Sequence, residues 1–340
     1  MSNDKVLQPM AGMTLEEMQD AVTALGMPRF VAKQLAQWIY QKRVNDFEQM
    51  LNISKANREL LASRYCVGLY PPSQAAASED GTVKYLFNVG GKQAVESVYI
   101  PEDDRATLCI SSQKGCRMNC YFCMTGKQGF HGNLTSNQII NQVLSIPESE
   151  TLTNVVFMGM GEPLDNLDEV LRVIAILTEP WGLGWSPKRV TVSTVGKKPE
   201  LKILCEQTSV HIAVSVHNAV QEERSSMMPI ERLYPIADVM ELLSNYDFAH
   251  QRRLSVEYIC WQWFNDDIPH AEKLRTSSDE RMTYFRDYLN SKGVTCTIRR
   301  SRGEDIAAAC GQLAGQVRKQ QAAKEGNPAD KSARNSKAKK

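Results

Sequence analysis

The feature that most constrains this chain is a change of rhythm near residue 105. From there, short runs rich in Val, Ile and Thr ("RATLCIS", "NVVFMGM", "RVTVSTVG", "VHIAVSVHN", "LSVEYICW" and "VTCTIRR") read as buried strands. Between several of them lie stretches of helical period: "LDEVLRVIAILT", "KPELKILCEQ", "IADVMELLSNY" and "DERMTYFRDYLNS". Repeated strand–helix units imply an α/β fold with a parallel sheet, left open or curled into a full or partial barrel. Functional residues of such folds gather at the C-terminal ends of the strands. Here those ends carry "GMGEP", "STVG", "SVHN" and a cysteine-rich loop.

Upstream, residues 14 to about 65 read as helices. "TLEEMQDAVTALG" opens on Thr14 with Glu17 three residues on, a capping-box pair, and stops at Gly26. "PRFVAKQLAQWIYQKR" starts at Pro28 and groups Phe30, Gln34, Leu35, Trp38 and Ile39 near one face; "SKANRELLASRY" makes a third helix. Lys33, Lys42, Arg43, Lys55, Arg58 and Arg64 decorate these helices, a pattern that suits RNA contact and equally a plain solvated face. "TVKYLFNVGGKQAVESVYI" then reads as a β-hairpin turning at Gly90–Gly91. The organisation expected is a small helical accessory region over 1–80, the α/β domain over 81–315 and a tail over 316–340. From Val317 onward eight Lys or Arg face only Glu325 and Asp330, so a chain of net charge +1 leaves about −5 for the rest. With almost no apolar residues, that tail is expected to be disordered, free to touch RNA by charge attraction or to do nothing.

No apolar run approaches a membrane span, and "MSNDKVLQPM" lacks the apolar core of a signal peptide, so a cytoplasmic protein is expected. Its nine cysteines are odd in number and three of them cluster. In a reducing compartment this argues against a disulfide framework and for metal binding or redox chemistry.

The cluster is "CISSQKGCRMNCYFC", with Cys116, Cys120 and Cys123 in C-x3-C-x2-C spacing and Cys109 just before. A structural zinc site is closed by four ligands; the nearest imidazole, His131, lies in a glycine-flanked loop without ligand-pair spacing. Iron–sulfur clusters normally take four thiolates as well. Three thiolates on a four-iron cluster leave one iron open, a place for a substrate or cofactor to bind.

This spacing, with Tyr121–Phe122 before the last cysteine, resembles the signature of the radical S-adenosylmethionine (SAM) enzymes. Together with "NVVFMGMGEPLDNLDEV", "KRVTVSTVG", "VHIAVSVHN" and "SRGEDIAAACGQLAG", it resembles the RlmN/Cfr family of radical SAM RNA methyltransferases from roughly Met13 to Gly315. The resemblance implies a partial (β/α) barrel, a [4Fe-4S] cluster on Cys116, Cys120 and Cys123, and SAM as second cofactor. It implies methylation of adenosine carbon-2 in 23S rRNA and tRNA, with carbon-8 as the alternative found in the Cfr branch; "MTGKQGF" looks closer to RlmN. By the same resemblance Cys310 takes the methyl group, Cys109 resolves the intermediate through a transient disulfide, and Glu96 is the proton acceptor. Read alone, Glu96 is an exposed hairpin carboxylate. SAM contacts carry over to Gly161, Glu162, Ser193, Ser215, Val216 and His217. The partners implied are 23S rRNA, tRNA and a cellular electron donor such as flavodoxin, with the enzyme a monomer. Arg299, Arg300 and Arg302 beside "GEDI" would pair with RNA phosphates or line a solvated loop.

The sequence departs from this pattern once. After "LSVEYICWQWFNDDIPHAEKL" the family has another strand and a loop whose Asn or His contacts SAM, whereas this chain passes from Leu274 directly to "RTSSDERMTYFRDYL". One barrel strand is therefore expected to be missing. Trp261 and Trp263 also stand where smaller or aliphatic residues are expected. Two readings follow, an active enzyme that closes the gap with its flanking helices, or an impaired relative that still binds RNA or a cluster.

Overall fold

The computed structural model describes residues 7–218, 220–248, 252–259, 261, 287, 290, 295–298, 302–306 and 308. A short parallel pair, β1 (Gln8–Pro9) and β2 (Tyr65–Cys66), ties the start of the chain to the end of a helical region. That region holds α1 (Leu15–Ala24), α2 (Phe30–Ala36), which runs on as a wider turn over Gln37–Gln41, and α3 (Lys55–Ala62). The capping box at Thr14 and Glu17 forms as expected, satisfying both amides.

An eight-stranded sheet follows, in the order β12-β11-β10-β9-β6-β5-β4-β3. Its strands are β3 (Gln74–Ala77), β4 (Val83–Asn88), β5 (Ala94–Pro101), β6 (Ala106–Cys109), β9 (Asn154–Phe157), β10 (Val190–Thr194), β11 (His211–Ser215) and β12 (Leu254–Glu257). From β6 to β12 all pairings are parallel, and β3, β4 and β5 add an antiparallel extension at one edge. The hairpin expected at Gly90–Gly91 joins β4 to β5. The sheet is open: among the described residues β3 and β12 are not paired with each other. Residues 295–298 of "VTCTIRR" are not a strand. The expected missing strand and most of the "DERMTYFRDYLNS" helix lie outside the described residues.

Crossover helices α5 (Ser136–Leu144), α6 (Leu167–Thr178), α7 (Lys198–Gln207) and α9 (Ile236–Ser244) contribute to one hydrophobic core with one face of this sheet. Leu108, Val155, Phe157, Val190, Val192, Ile212 and Val214 supply the sheet side of that core, and each is essentially fully buried. Burial on this scale contributes about 1.5–3 kcal/mol per side chain before conformational entropy is set against it. The N-terminal helices share this core through Met18, Val22, Leu35 and Ile39. Phe30, grouped with that face in sequence, is instead exposed.

Two smaller features complete the frame. An antiparallel ribbon of β7 (Gln113–Gly115) and β8 (Phe130–Asn133) carries the cysteine loop between its strands, with α4 (Met124–Lys127) inside that loop. Helix α8 (Gln221–Met227) follows β11.

Candidate active site

Side chains alternate across a strand, so residues paired across the sheet share a face. Cys109 pairs with Val98 on one side and Val156 on the other, and Val156 pairs with Thr191. Two residues along, Ser193 pairs with Ala213, and Ser215 pairs with Glu257. Cys109, Thr191, Ser193, Ser215 and Glu257 therefore lie on the face opposite the helix layer. A band of small and polar residues runs across the sheet.

Glu96 lies on the same face, two residues before Val98 on β5. It is not an exposed hairpin carboxylate. It is 2% exposed and pairs with the fully buried Lys84 at 2.8 Å. Lys84 is opposite Val98 and Glu96 opposite Leu86, so the ion pair is a diagonal contact across β4 and β5. The alternation "VKYLFN" placed Lys84 on a face but could not show that the face was covered there.

The cysteine loop is held from three directions. The Cys116 amide donates to the Gly129 carbonyl (3.2 Å), the Cys123 amide to that of Cys120 (3.0 Å), and the Tyr121 amide to that of Met227 at the end of α8 (2.8 Å). The Arg117 guanidinium lies 3.9 Å from the centre of the Phe130 ring on β8. Cys116 and Cys120 are buried and Cys123 half-buried; burial pushes the first two thiols up to about 12. Thiols so placed give up their protons when a metal cation offsets the desolvation. Among the described residues no three His, Cys, Asp or Glu side chains converge as the shell of a single metal ion. Cys116, Cys120 and Cys123 share this one loop as candidate cluster ligands. His131 is exposed, and its Nε2 lies 2.9 Å from the Gln128 carbonyl oxygen.

At the strand ends, Gly161 has φ of +105°, and a Cβ there would fall 2.5 Å from the Gln113 Cβ, so only glycine fits. Gln113 in turn accepts from the Glu162 amide (2.9 Å) and donates to Asn133 (2.8 Å). The Glu162 carboxylate is itself engaged. It accepts from the Thr194 hydroxyl (2.7 Å) and the amides of Leu164 and Val195 (3.0 Å each). Burial pushes it up to about 7 against these bonds. Of about four lone-pair positions on a carboxylate, three are used within the protein. Glu162 thus cross-ties the ends of β9 and β10.

His217 adopts φ of +55°, uncommon outside glycine, and is 6% exposed. The Ile259 amide donates to its Nδ1 (3.2 Å), which fits a neutral ring. Burial, and secondly the charge of Arg224, push it down to about 3. Its ring stands edge-on to Phe122 of the cysteine loop (centroids 5.1 Å apart), and Trp261 packs on Phe122 at 4.9 Å. The Trp261 that looked out of place in the sequence therefore meets both the cysteine loop and a strand-end residue assigned to SAM.

The sequence reading overlooked Arg224. This fully buried side chain donates to the carbonyls of Val195, Ser215 and Val216 (3.0 Å each) and forms an ion pair with the buried Glu231. It binds the ends of β10 and β11 together, and its helix, α8, holds Tyr121. The signal was present in "ERSSMMPIE", where an Arg and a Glu flank an apolar stretch seven residues apart. Cys310, Arg299 and Arg300 lie outside the described residues; Arg302 is 3.9 Å from Asp80.

Comparison with known proteins agrees with this geometry. Residues 9–67 match the ribosomal RNA large subunit methyltransferase N-terminal domain, and residues 110–261 match the radical SAM superfamily. A probable dual-specificity RNA methyltransferase RlmN of Parabacteroides distasonis is 52% identical over 326 residues, covering 89% of this chain and 95% of the relative.

The chain belongs to the RlmN family of radical SAM RNA methyltransferases.

A dual-specificity RNA methyltransferase RlmN of Geotalea uraniireducens is 38% identical, over 90% of this chain and 96% of its own. The crystal structure of a radical SAM methyltransferase from Sphaerobacter thermophilus superposes with a TM-score of 0.81 at 33% identity, over 90% of this chain and 98% of that one. The open α/β sheet described above is thus the fold of a radical SAM methyltransferase.

Proposed function

We propose that this RlmN-family enzyme methylates carbon-2 of adenosine in 23S rRNA and in tRNA through an S-methylcysteine on Cys310. The observation that carries the reading is the polar face, where Cys109 and the buried Glu96 lie on the same side of the sheet as Ser193 and Ser215. An adenine carbon-2 is electron-poor and carries no acidic proton, so ordinary attack on a methyl sulfonium is closed to it. When bound, a [4Fe-4S] cluster and SAM supply the radical chemistry that opens it.

The chain's own residues do the rest. Cys116, Cys120 and Cys123 would hold the cluster. Gly161, Ser193, Ser215, Val216 and His217 bind SAM at the strand ends; the Glu162 backbone and its remaining lone pair add to them, while its carboxylate sets the floor. Cys310 carries the methyl group as a thioether, since a thiolate is a competent nucleophile toward SAM. Glu96 accepts the proton lost from the base carbon, with Lys84 fixing its position. The Cys109 thiolate attacks the Cys310 sulfur. The sulfur–carbon bond breaks with its electron pair going to the delivered carbon, which takes up a proton to become the methyl group, and the two sulfurs are left as a disulfide.

RNA contact falls to the N-terminal region and the C-terminal tail. Arg58 bonds to the Ile53 carbonyl and Glu48, and Arg43 to the Ser149 carbonyl, so these two serve the fold. Lys33 and Arg64 are exposed and face phosphates, as does Lys42, which also lies over the Trp38 ring, whereas Lys55 pairs with Glu59. The enzyme acts as a cytoplasmic monomer reduced by a flavodoxin-like donor. Among the described residues no helix is long and apolar enough to cross a membrane.

The test is mass spectrometry of the Cys109→Ala protein isolated after anaerobic reconstitution and incubation with SAM, a reductant and RNA. The expected result is a Cys310 peptide covalently bonded to an adenosine through one added carbon. An unmodified Cys310 peptide alongside methylated RNA would overturn the cysteine-borne route.

A further inference from the structure

The segment just before Cys310 is attached to a place more than two hundred residues away in sequence. Asp305 accepts a 2.5 Å hydrogen bond from the Ser78 hydroxyl and one from the Glu79 amide at 3.3 Å. Asp80 accepts from the Gly303 amide at 3.1 Å and lies 3.9 Å from the Arg302 guanidinium. Ser78, Glu79 and Asp80 form the turn between β3 and β4, so carboxylates from both sides interlock. Hydrogen bonding holds both below the usual carboxylate range, Asp305 chiefly through Ser78 and Asp80 chiefly through Thr82.

Behind the carboxylates the backbone is shaped to fit. Gly303 has φ of +60° and is buried, and the amides of Ile306 and Ala308 both donate to its carbonyl (3.2 and 3.0 Å). A Cβ on Gly303 would sit 2.7 Å from the Ala308 Cβ and 3.2 Å from the Thr82 Cγ2. Thr82 precedes Lys84 by two residues, the spacing that returns a strand to the same face. The segment therefore docks at the start of the strand that carries Lys84, the partner of Glu96. Cys310 is the second residue after Ala308, a reach of at most about 7 Å.

We propose that this contact is a latch: Asp305 and Ser78, with Asp80 and Arg302, are positioning residues that anchor the chain just before Cys310 at the start of the strand that carries Lys84. The inference rests on the role proposed above for Cys310. A cysteine that meets a methyl donor, a base and a second thiol in turn has to be both tethered and free to shift. Exposed carboxylate bonds meet both needs, because water and salt compete for them. The latch acts on Cys310 through the chain and touches no reacting atom.

The effective concentration of one thiol at the other reports the latch directly. In the cluster-loaded enzyme under anaerobic conditions, oxidised dithiothreitol converts two thiols to a protein disulfide and is itself reduced to the dithiol, so the exchange balances. Closure of the Cys109–Cys310 disulfide is followed by peptide mapping in the parent, Asp305→Ala, Ser78→Ala and Asp305→Asn proteins. Asp305→Ala is expected to slow closure about tenfold, Ser78→Ala and Asp305→Asn less, with thermal midpoints unchanged because the side chains are at the surface. High salt is expected to bring the parent toward Asp305→Ala. Equal closure in parent and Asp305→Ala overturns the latch. No closure in the parent would instead refute the pairing of the two cysteines. Hydrogen exchange at the Ile306 and Ala308 amides then decides the latch by itself: faster exchange in Asp305→Ala sustains it, and unchanged exchange overturns it.

Discussion

Along β10, Val190 and Val192 are fully buried in the helix layer, whereas Thr191 and Ser193, each one residue on, face the other way among Val156, Ala213 and other small residues. β11 repeats the contrast, with Ile212 and Val214 under the helices and Ala213 and Ser215 opposite. One face carries mostly apolar bulk, with Tyr85 donating its hydroxyl to Glu148; the other carries a thiol, a buried carboxylate and hydroxyls. The same strands thus divide the work. The helix-covered face stabilises the fold, and the chemistry proposed above is assigned to the polar face and the loops at its end.

Substitutions on the two sides should separate stability from activity, and the largest effect belongs to the cysteine loop. Cys120→Ala is expected to abolish iron retention and RNA methylation while circular dichroism of the protein stays that of the parent; iron analysis and nucleoside mass spectrometry check it. A cluster retained at parental level would mean the loop is not its ligand set.

Arg224 lies where the two sides meet, so it should cost both. Arg224→Met leaves Glu231 buried without its partner, a loss of about 3–5 kcal/mol in urea unfolding. Arg224→Met with Glu231→Leu should recover part of that stability by removing the unpaired charge, but neither all of it nor parental SAM affinity, since three strand-end carbonyls and the Ile236 amide remain without their partners.

A smaller pair tests the faces one residue apart. Ile212→Ala should cost about 2–4 kcal/mol, with activity per folded molecule unchanged. Thr191→Val on the opposite face should stay within about 0.5 kcal/mol. Comparable losses for both would dissolve the distinction between the faces.

The weakest effect is a pH dependence confined to the polar side. His217, pushed down to about 3 from 6.5, stays neutral in the fold while the unfolded chain takes up a proton, so its contribution falls as pH drops from 6.5 toward 3. Glu162, pushed up to about 7 from 4.5, keeps its proton in the fold, so its contribution grows as pH drops from 7 toward 4.5. The two oppose each other between 6.5 and 4.5. His217→Gln removes the first, so on going from pH 7 to 5 its thermal midpoint should rise relative to that of the parent.

Periodicity and spacing carried much of this into view before any coordinates. The strand–helix rhythm fixed the parallel sheet, the Thr14–Glu17 pair fixed the start of α1, and Gly90–Gly91 fixed the hairpin. Short ribbons escaped, because "QKG" and "FHGN" are too brief and polar to show a period of two. Helix α5 escaped too, although Thr135 and Gln138 form a capping box that could have announced it. At the site, the cysteines proposed as ligands announce themselves by spacing. Lys84, Glu231 and Arg224 do not, because a charged residue reads as solvated until its burial is known.

The central claim is that the polar face of this RlmN-family enzyme performs adenosine methylation. It is met most directly by nucleoside mass spectrometry of a 23S rRNA fragment and a tRNA after anaerobic reconstitution and incubation with SAM and dithionite. The account predicts 2-methyladenosine in both RNAs, and none after Cys310→Ala or Cys109→Ala substitution. Either 8-methyladenosine in place of 2-methyladenosine or a fully loaded four-iron cluster without any methylated adenosine would contradict it.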